Sequence, residues 1–129
     1  MDGTRRSVLV VDDDPTIREL VEVLLDGEGY EVRTAVHGGE ALDVLESWTP
    51  DVIVLDMRMP VMDGAAVLTA RQASPRLHSI PVIVLSASVK LNHADDGPHA
   101  PVLLPKPFRI EELLKHVEVL ALRWQLAPA

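Results

Sequence analysis

Short apolar runs that alternate with helical patterns constrain this chain more than any other feature. Residues 7–11 (SVLVV), 51–55 (DVIVL) and 80–85 (IPVIVL) are continuous and rich in β-branched residues. Such runs suit strands buried on both faces, as in a parallel sheet. Residues 30–35 alternate instead, with Tyr30, Val32 and Thr34 set against Glu31 and Arg33. That pattern predicts a half-exposed strand at a sheet edge. Residues 101–104 (PVLL), bounded by Pro101 and Pro105, form the last strand.

Helical spacing fills the gaps. Residues 15–28 carry Ile17, Leu20, Val21, Leu24 and Leu25 on one face. Asp14 suits the N-cap and Pro15 the first helical position, while Gly27 and Gly29 end the helix. Residues 38–47 use Ala41, Leu42 and Leu45, and residues 64–73 use Val67, Leu68 and Arg71. The last helix, residues 109–124, turns Ile110, Leu113, Leu114, Val117, Leu120 and Ala121 inward. Residues 88–100 (SVKLNHADDGPHA) have few periodic apolar residues and a Gly97-Pro98 breaker, which predicts a short or irregular fourth helix. The whole is a (βα)5 pattern: a doubly wound α/β domain with helices on both faces of a parallel sheet.

Length and composition narrow the function classes. The 129 residues make one domain, residues 1–125, with 126–129 as a tail or the start of a linker. A 47% apolar content supports a real core. The formal charge of −8 disfavours direct contact with a nucleic-acid backbone. The absence of cysteine removes disulfide scaffolds, zinc–thiolate sites and thiol catalysis. No apolar run approaches the ~18–20 residues of a membrane span, and the start shows no cleavage signal. The expectation is a cytoplasmic protein without membrane partners.

Chemistry in an open parallel sheet collects at the carboxyl ends of its strands. There this sequence places Asp12, Asp13 and Asp14 after the first strand and Asp56 at the end of the third. Ser86 follows the fourth strand and Lys106 the fifth. Clustered carboxylates repel one another and call for a cation. A hard oxygen-preferring ion such as Mg2+ meets that need and keeps waters for a phosphoryl ligand. A carboxylate beside it can act as nucleophile and form an acyl phosphate, with a lysine and a hydroxyl neutralising the phosphoryl oxygens. The plain alternatives are loop or capping acids at 12–14, a turn-forming Asp56, a strand-end Ser86 and a surface Lys106. Calcium-loop spacing fails, because Met57 and Arg58 break the alternation of oxygen ligands. The five histidines lack metal spacing and read as surface or loop residues, and Trp48 and Trp124 as packing residues.

The motifs VVDDDP at 10–15, DMRMPVMDG at 56–64, Ser86-Ala87 and Lys106-Pro107-Phe108 together resemble the receiver domain of bacterial two-component response regulators. The resemblance spans almost the whole chain. It implies a flavodoxin-like sheet of strand order 2-1-3-4-5 and a phosphoacceptor role for Asp56. It implies Mg2+ held by Asp12, Asp13, Asp56 and the backbone carbonyl of Arg58, with Asp12 acting mainly through a water. Ser86 matches the hydroxyl that bonds the phosphoryl group, and Lys106 the lysine that pairs with Asp56. Lys106-Pro107 matches a cis peptide. Met59-Pro60 and Asp63-Gly64 shape the loop after the acceptor, and Ala87 leaves the phosphate entrance open. The implied partner is a histidine kinase or histidine phosphotransfer protein. A homodimer through the helix 4–strand 5–helix 5 face is a further implied partner.

The chain departs from that family in three respects. Leu103 stands where a switch aromatic is usual, so the aromatic in–out switch does not operate as such. The stretch between Ser86 and Lys106 is short, with His99-Ala100 before the last strand, so the readout face is altered more than the acceptor pocket. No effector domain is present, which makes the chain either a stand-alone receiver or a piece of a longer regulator. Arg58 and Ser88 occupy positions that tune hydrolysis of the acyl phosphate in the family, and Val119, Leu122 and Leu126 lie off the inward face of the last helix. The competing functions are a docking or dimerisation module independent of phosphorylation and a Mg2+ phosphohydrolase. Arg58 replaces the second acid that the phosphohydrolase would need two residues past its nucleophile.

Overall fold

The structure, a computed structural model, describes residues 5–59, 62–87 and 100–126, without the side chains of residues 123–126. In chain order the elements are β1 (Ser7–Val11), α1 (Pro15–Gly27), β2 (Glu31–Ala35), α2 (Gly38–Ser47) and β3 (Val52–Asp56). They continue with α3 (Gly64–Gln72), β4 (Val82–Ser86), β5 (Val102–Pro105) and α4 (Ile110–Leu126). The strands form one sheet of order β2-β1-β3-β4-β5. Every pairing is parallel, with registers such as Val10↔Thr34, Val10↔Val54, Val54↔Ile83 and Ile83↔Val102.

Strand side chains alternate between two faces, so each apolar run supplies two cores. Val8, Val10, Val52, Val54, Ile83 and Leu85 meet Val21 and Leu25 of α1 and Leu113, Val117 and Ala121 of α4. Leu9, Val11, Ile53, Leu55, Val82 and Val84 meet Ala41 and Leu45 of α2 and Val67 of α3. This is the doubly wound arrangement that the continuous runs imply. β2 is an edge strand, as its alternation predicts.

Several particulars differ from the sequence expectation. Leu20 is 49% exposed. The buried stripe of α1 follows the i, i+4 series Ile17, Val21 and Leu25, and Leu20 sits one step round the helix from it. The central strands start later than predicted, at Val52 and Val82, and end on Asp56 and Ser86 themselves. Arg71 keeps the inner face of α3 that its spacing predicts; it is only 2% exposed and donates from Nε to the Ile80 carbonyl at 3.0 Å. The short fourth helix expected in residues 88–100 lies, but for Ala100, outside the described residues, as do Pro60, Ser88, His93, His99 and the side chains of Trp124 and Leu126.

The helix ends are locally specified. Asp14 caps α1, its carboxylate accepting from the Thr16 amide at 2.9 Å, with Pro15 in the first turn. Beyond α1, Gly29 takes φ +98°, a conformation that a side chain would strain. No helix of the described residues is long and apolar enough to cross a membrane.

Candidate functional site

The polar residues singled out in the sequence converge at the carboxyl edge of the sheet. Asp12 continues β1 by one residue, its amide donating to the Ala35 carbonyl at 3.1 Å. The side chain is 1% exposed. Oδ1 accepts from the Asp14 amide at 2.9 Å, while Oδ2 is buried without a hydrogen-bond partner. Asp13 is exposed beside it. Asp56 closes β3, 4% exposed, with Oδ1 2.9 Å from Lys106 Nζ. Asp12, Asp13 and Asp56 each bring a carboxylate oxygen within 4.8 Å of the others.

Three negative charges at such separation are costly. Burial pushes the Asp12 carboxyl above the usual carboxylate range, and the charges of Asp56 and Asp13 push the same way. The Asp14 amide and the Lys106 ammonium oppose that shift without cancelling it. Among the described residues, the Lys106 ammonium is the cation paired with this cluster, through Asp56.

Neighbouring strands bring up the remaining groups. Ser86 ends β4 opposite Pro105, and its carbonyl accepts from the Lys106 amide at 2.8 Å. Hydroxyl and lysine are thus held on adjacent strand ends, with Ser86 buried. The Lys106–Pro107 peptide is cis, as the resemblance implied. Arg58 is exposed two residues beyond Asp56.

The loop after Asp56 returns tightly. The Gly64 amide donates to the Met57 carbonyl at 3.0 Å, and a Cβ at residue 64 would lie 2.7 Å from the Asp56 carbonyl oxygen and 2.8 Å from Met57 Cα. Only glycine fits this approach. Asp63 then caps α3 by accepting from the Ala66 amide at 3.0 Å. The Gly38 amide ties the same loop to α2 through the Met62 carbonyl at 2.9 Å.

Two residues escaped the sequence argument. His37, read as a surface or loop histidine, caps α2: its Nδ1 accepts from the Glu40 amide at 3.2 Å, and Glu40 Oε1 accepts from the Val36 amide at 2.9 Å. Histidine is not among the usual capping residues, so no clear signal in the sequence marked this cap. Arg18 donates from Nη1 to the Asp12 carbonyl at 2.9 Å. Nothing in its spacing marked it. Trp48 is half-buried against the α2–α3 core, with the Arg33 guanidinium 4.4 Å from its ring centroid.

The donor set fits a hard divalent cation. All three side chains offer carboxylate oxygens, and Asp12 Oδ2 is a buried acceptor that the protein leaves unused.

Sheet order and site together define a doubly wound α/β protein with an acid, hydroxyl and ammonium constellation at its topological switch point. The chain belongs to the response regulator receiver domain family, whose model matches residues 8–118. It is 42% identical over 118 residues to the response regulator MprA of Mycolicibacterium vanbaalenii, covering 90% of this chain and 50% of that protein. The chain thus spans about half the length of the curated relatives it matches. Among solved structures, the chemotaxis response regulator CheY4 of Vibrio cholerae matches with a TM-score of 0.79 at 34% identity, covering 91% of this chain and 99% of that one. The response regulator TrrA of Thermotoga maritima, in complex with Mg2+-BeF, matches with a TM-score of 0.76 at 34% identity, covering 89% and 98%.

Proposed function

We propose that this receiver domain is a phosphorylation switch in which Asp56 accepts a phosphoryl group in the presence of Mg2+. One observation carries the proposal: a buried Asp56 carboxylate lies within 4.8 Å of two further acids and 2.9 Å from a lysine ammonium. The donor is a phosphohistidine on a histidine kinase or phosphotransfer protein, and small acyl phosphates can substitute for it. An Asp56 carboxylate oxygen attacks phosphorus and a new O–P bond forms. The P–N bond to the donor imidazole breaks, its electron pair stays on nitrogen, and solvent supplies the proton that nitrogen then takes.

Asp12, Asp13, Asp56 and the Arg58 carbonyl would hold Mg2+. Bound there, the ion would neutralise charge on the phosphoryl oxygens. Lys106 supplies a second positive charge beside the acceptor, and Ser86 a hydroxyl donor from the adjacent strand. The likeness to TrrA, solved with Mg2+-BeF, supports this metal and this class of ligand. The acidic balance of the chain argues against direct nucleic-acid contact by the domain.

Intact-mass spectrometry after incubation with acetyl phosphate tests the proposal. The expected result is an increase of about 80 Da, one phosphoryl group, that requires both Mg2+ and Asp56. Equal labelling of Asp56→Asn would refute the acceptor assignment. If wild type showed neither labelling nor a response to Mg2+ and beryllofluoride, the docking module would become the better account.

A further inference from the structure

We infer that Arg18 is a positioning residue for the acidic cluster, an assignment that rests on the proposed Mg2+ site. Asp12 is held at three atoms. Its amide donates to the Ala35 carbonyl at 3.1 Å, and its Oδ1 accepts from the Asp14 amide at 2.9 Å. Its carbonyl accepts from Arg18 Nη1 at 2.9 Å. The one polar atom of this residue left unpartnered is Oδ2, a member of the buried group that a cation would meet. In the first two contacts the partner is a backbone atom, the Ala35 carbonyl or the Asp14 amide. The third comes from one side chain, six residues along.

The geometry follows from the helix. Side chains on a helix lean toward its N-terminus, so a long residue in the second turn reaches back over the first. Arg18 sits there in α1, its own amide bonded to the Asp14 carbonyl at 2.9 Å. Its guanidinium thus ties the end of β1 to the start of α1, across the turn that carries Asp12 and Asp13. A carbonyl in a buried residue needs a donor, and losing it frees the turn to rotate. Arginine suits the task because its charge is permanent and its donors are fixed in a plane.

Two physical roles for this cation predict opposite signs. As an electrostatic neighbour, Arg18 repels Mg2+, and its removal would tighten binding. As a positioning residue it keeps Asp12 aimed, and its removal weakens binding. Groups that orient metal ligands typically cost about 10–100-fold in affinity when lost, and the lower end applies here because two backbone contacts to Asp12 remain.

The test is a Mg2+ titration of the full chain followed by amide NMR. The Asp14 amide is the reporter because it bonds Asp12 Oδ1 directly. Wild type, Arg18→Ala, Arg18→Met and Arg18→Lys are compared, with thermal melts confirming that each is folded. The expected result is a Mg2+ Kd about tenfold weaker in the Ala and Met variants, with a displaced Asp14 resonance before any metal is added. Arg18→Lys, which keeps one donor, should recover part of both. Unchanged or tighter binding in Arg18→Ala, with wild type binding normally, would overturn the inference and leave the phosphoacceptor proposal standing. No Mg2+ response in wild type would overturn both.

Discussion

Replacing Asp12 by asparagine should stabilise the metal-free protein while removing its affinity for Mg2+. Its carboxylate is 1% exposed and one of three acids whose oxygens lie within 4.8 Å. At an effective dielectric of about 20, two unit charges at that distance repel by ~3.5 kcal/mol. Asp12 has two such neighbours, Asp13 and Asp56. The exposure of Asp13 and the Lys106 ammonium on Asp56 absorb much of this, as does the Asp14 amide on Asp12. A net gain of about 1–2 kcal/mol remains for Asp12→Asn, which keeps the shape and the Oδ1 acceptor. For a domain of this size that corresponds to a rise of roughly 3–8 °C in Tm.

The pH dependence has a definite sign. The carboxyl is raised above the usual range by burial, so the folded state holds the Asp12 proton more tightly than the unfolded chain. Its contribution is fully present below the ordinary carboxylate range and is lost as pH rises through the raised value. The advantage of Asp12→Asn should therefore be largest near neutral pH and fade on acidification. Saturating Mg2+ should reverse the order, because wild type gains binding free energy that the variant cannot. Thermal melts of both proteins at neutral and acidic pH, with and without Mg2+, check all three statements. Destabilisation of Asp12→Asn at neutral pH without metal would refute the argument that charge repulsion dominates at this site.

Three further outcomes are expected. Gly64→Ala should cost about 2–3 kcal/mol and depress labelling of Asp56, because the new methyl would stand 2.7 Å from the Asp56 carbonyl oxygen; a melt and a mass-labelling assay measure both, and a neutral change would mean that the loop yields freely. Arg71→Ala should lower stability by ~3 kcal/mol in urea unfolding, since it empties a core position and removes a charged donor from the Ile80 carbonyl; a loss below about 1 kcal/mol would show that the site collapses or hydrates easily. Tyr30 is the single tyrosine, so ultraviolet titration of phenolate isolates it; burial, aided by Glu118, should place its midpoint above the ordinary phenol value, and Glu118→Gln should bring it part of the way back.

Much of this molecule was legible before its structure. Continuous apolar runs can be buried only between two layers, so residues 7–11, 51–55 and 80–85 announced the central strands, and alternation at 30–35 announced an edge. Asp14-Pro15 announced the start of α1 because capping is local chemistry, complete within one turn. The site was legible too, since the acids, Ser86 and Lys106 each directly follow or end an apolar run, and strand ends on a parallel sheet share one edge.

What periodicity could not convey was contact between distant side chains. A helical wheel gives Leu20 and Val21 nearly equal claims on the core, and only the packing of α1 on the sheet settled that Val21 is buried and Leu20 exposed. Spacing put Arg71 on the inner face of α3, but only the fold brought up the Ile80 carbonyl, just before β4, that accepts from its buried guanidinium.

By itself the sequence determined the succession of elements, the two-sided sheet and the residues gathered at its carboxyl edge, because each depends on neighbours along the chain. Only the tertiary structure decided that Asp12 keeps one oxygen without a partner and that Arg18 holds the turn bearing it. Those outcomes depend on ångström-scale distances between elements, and no spacing along the chain encodes them.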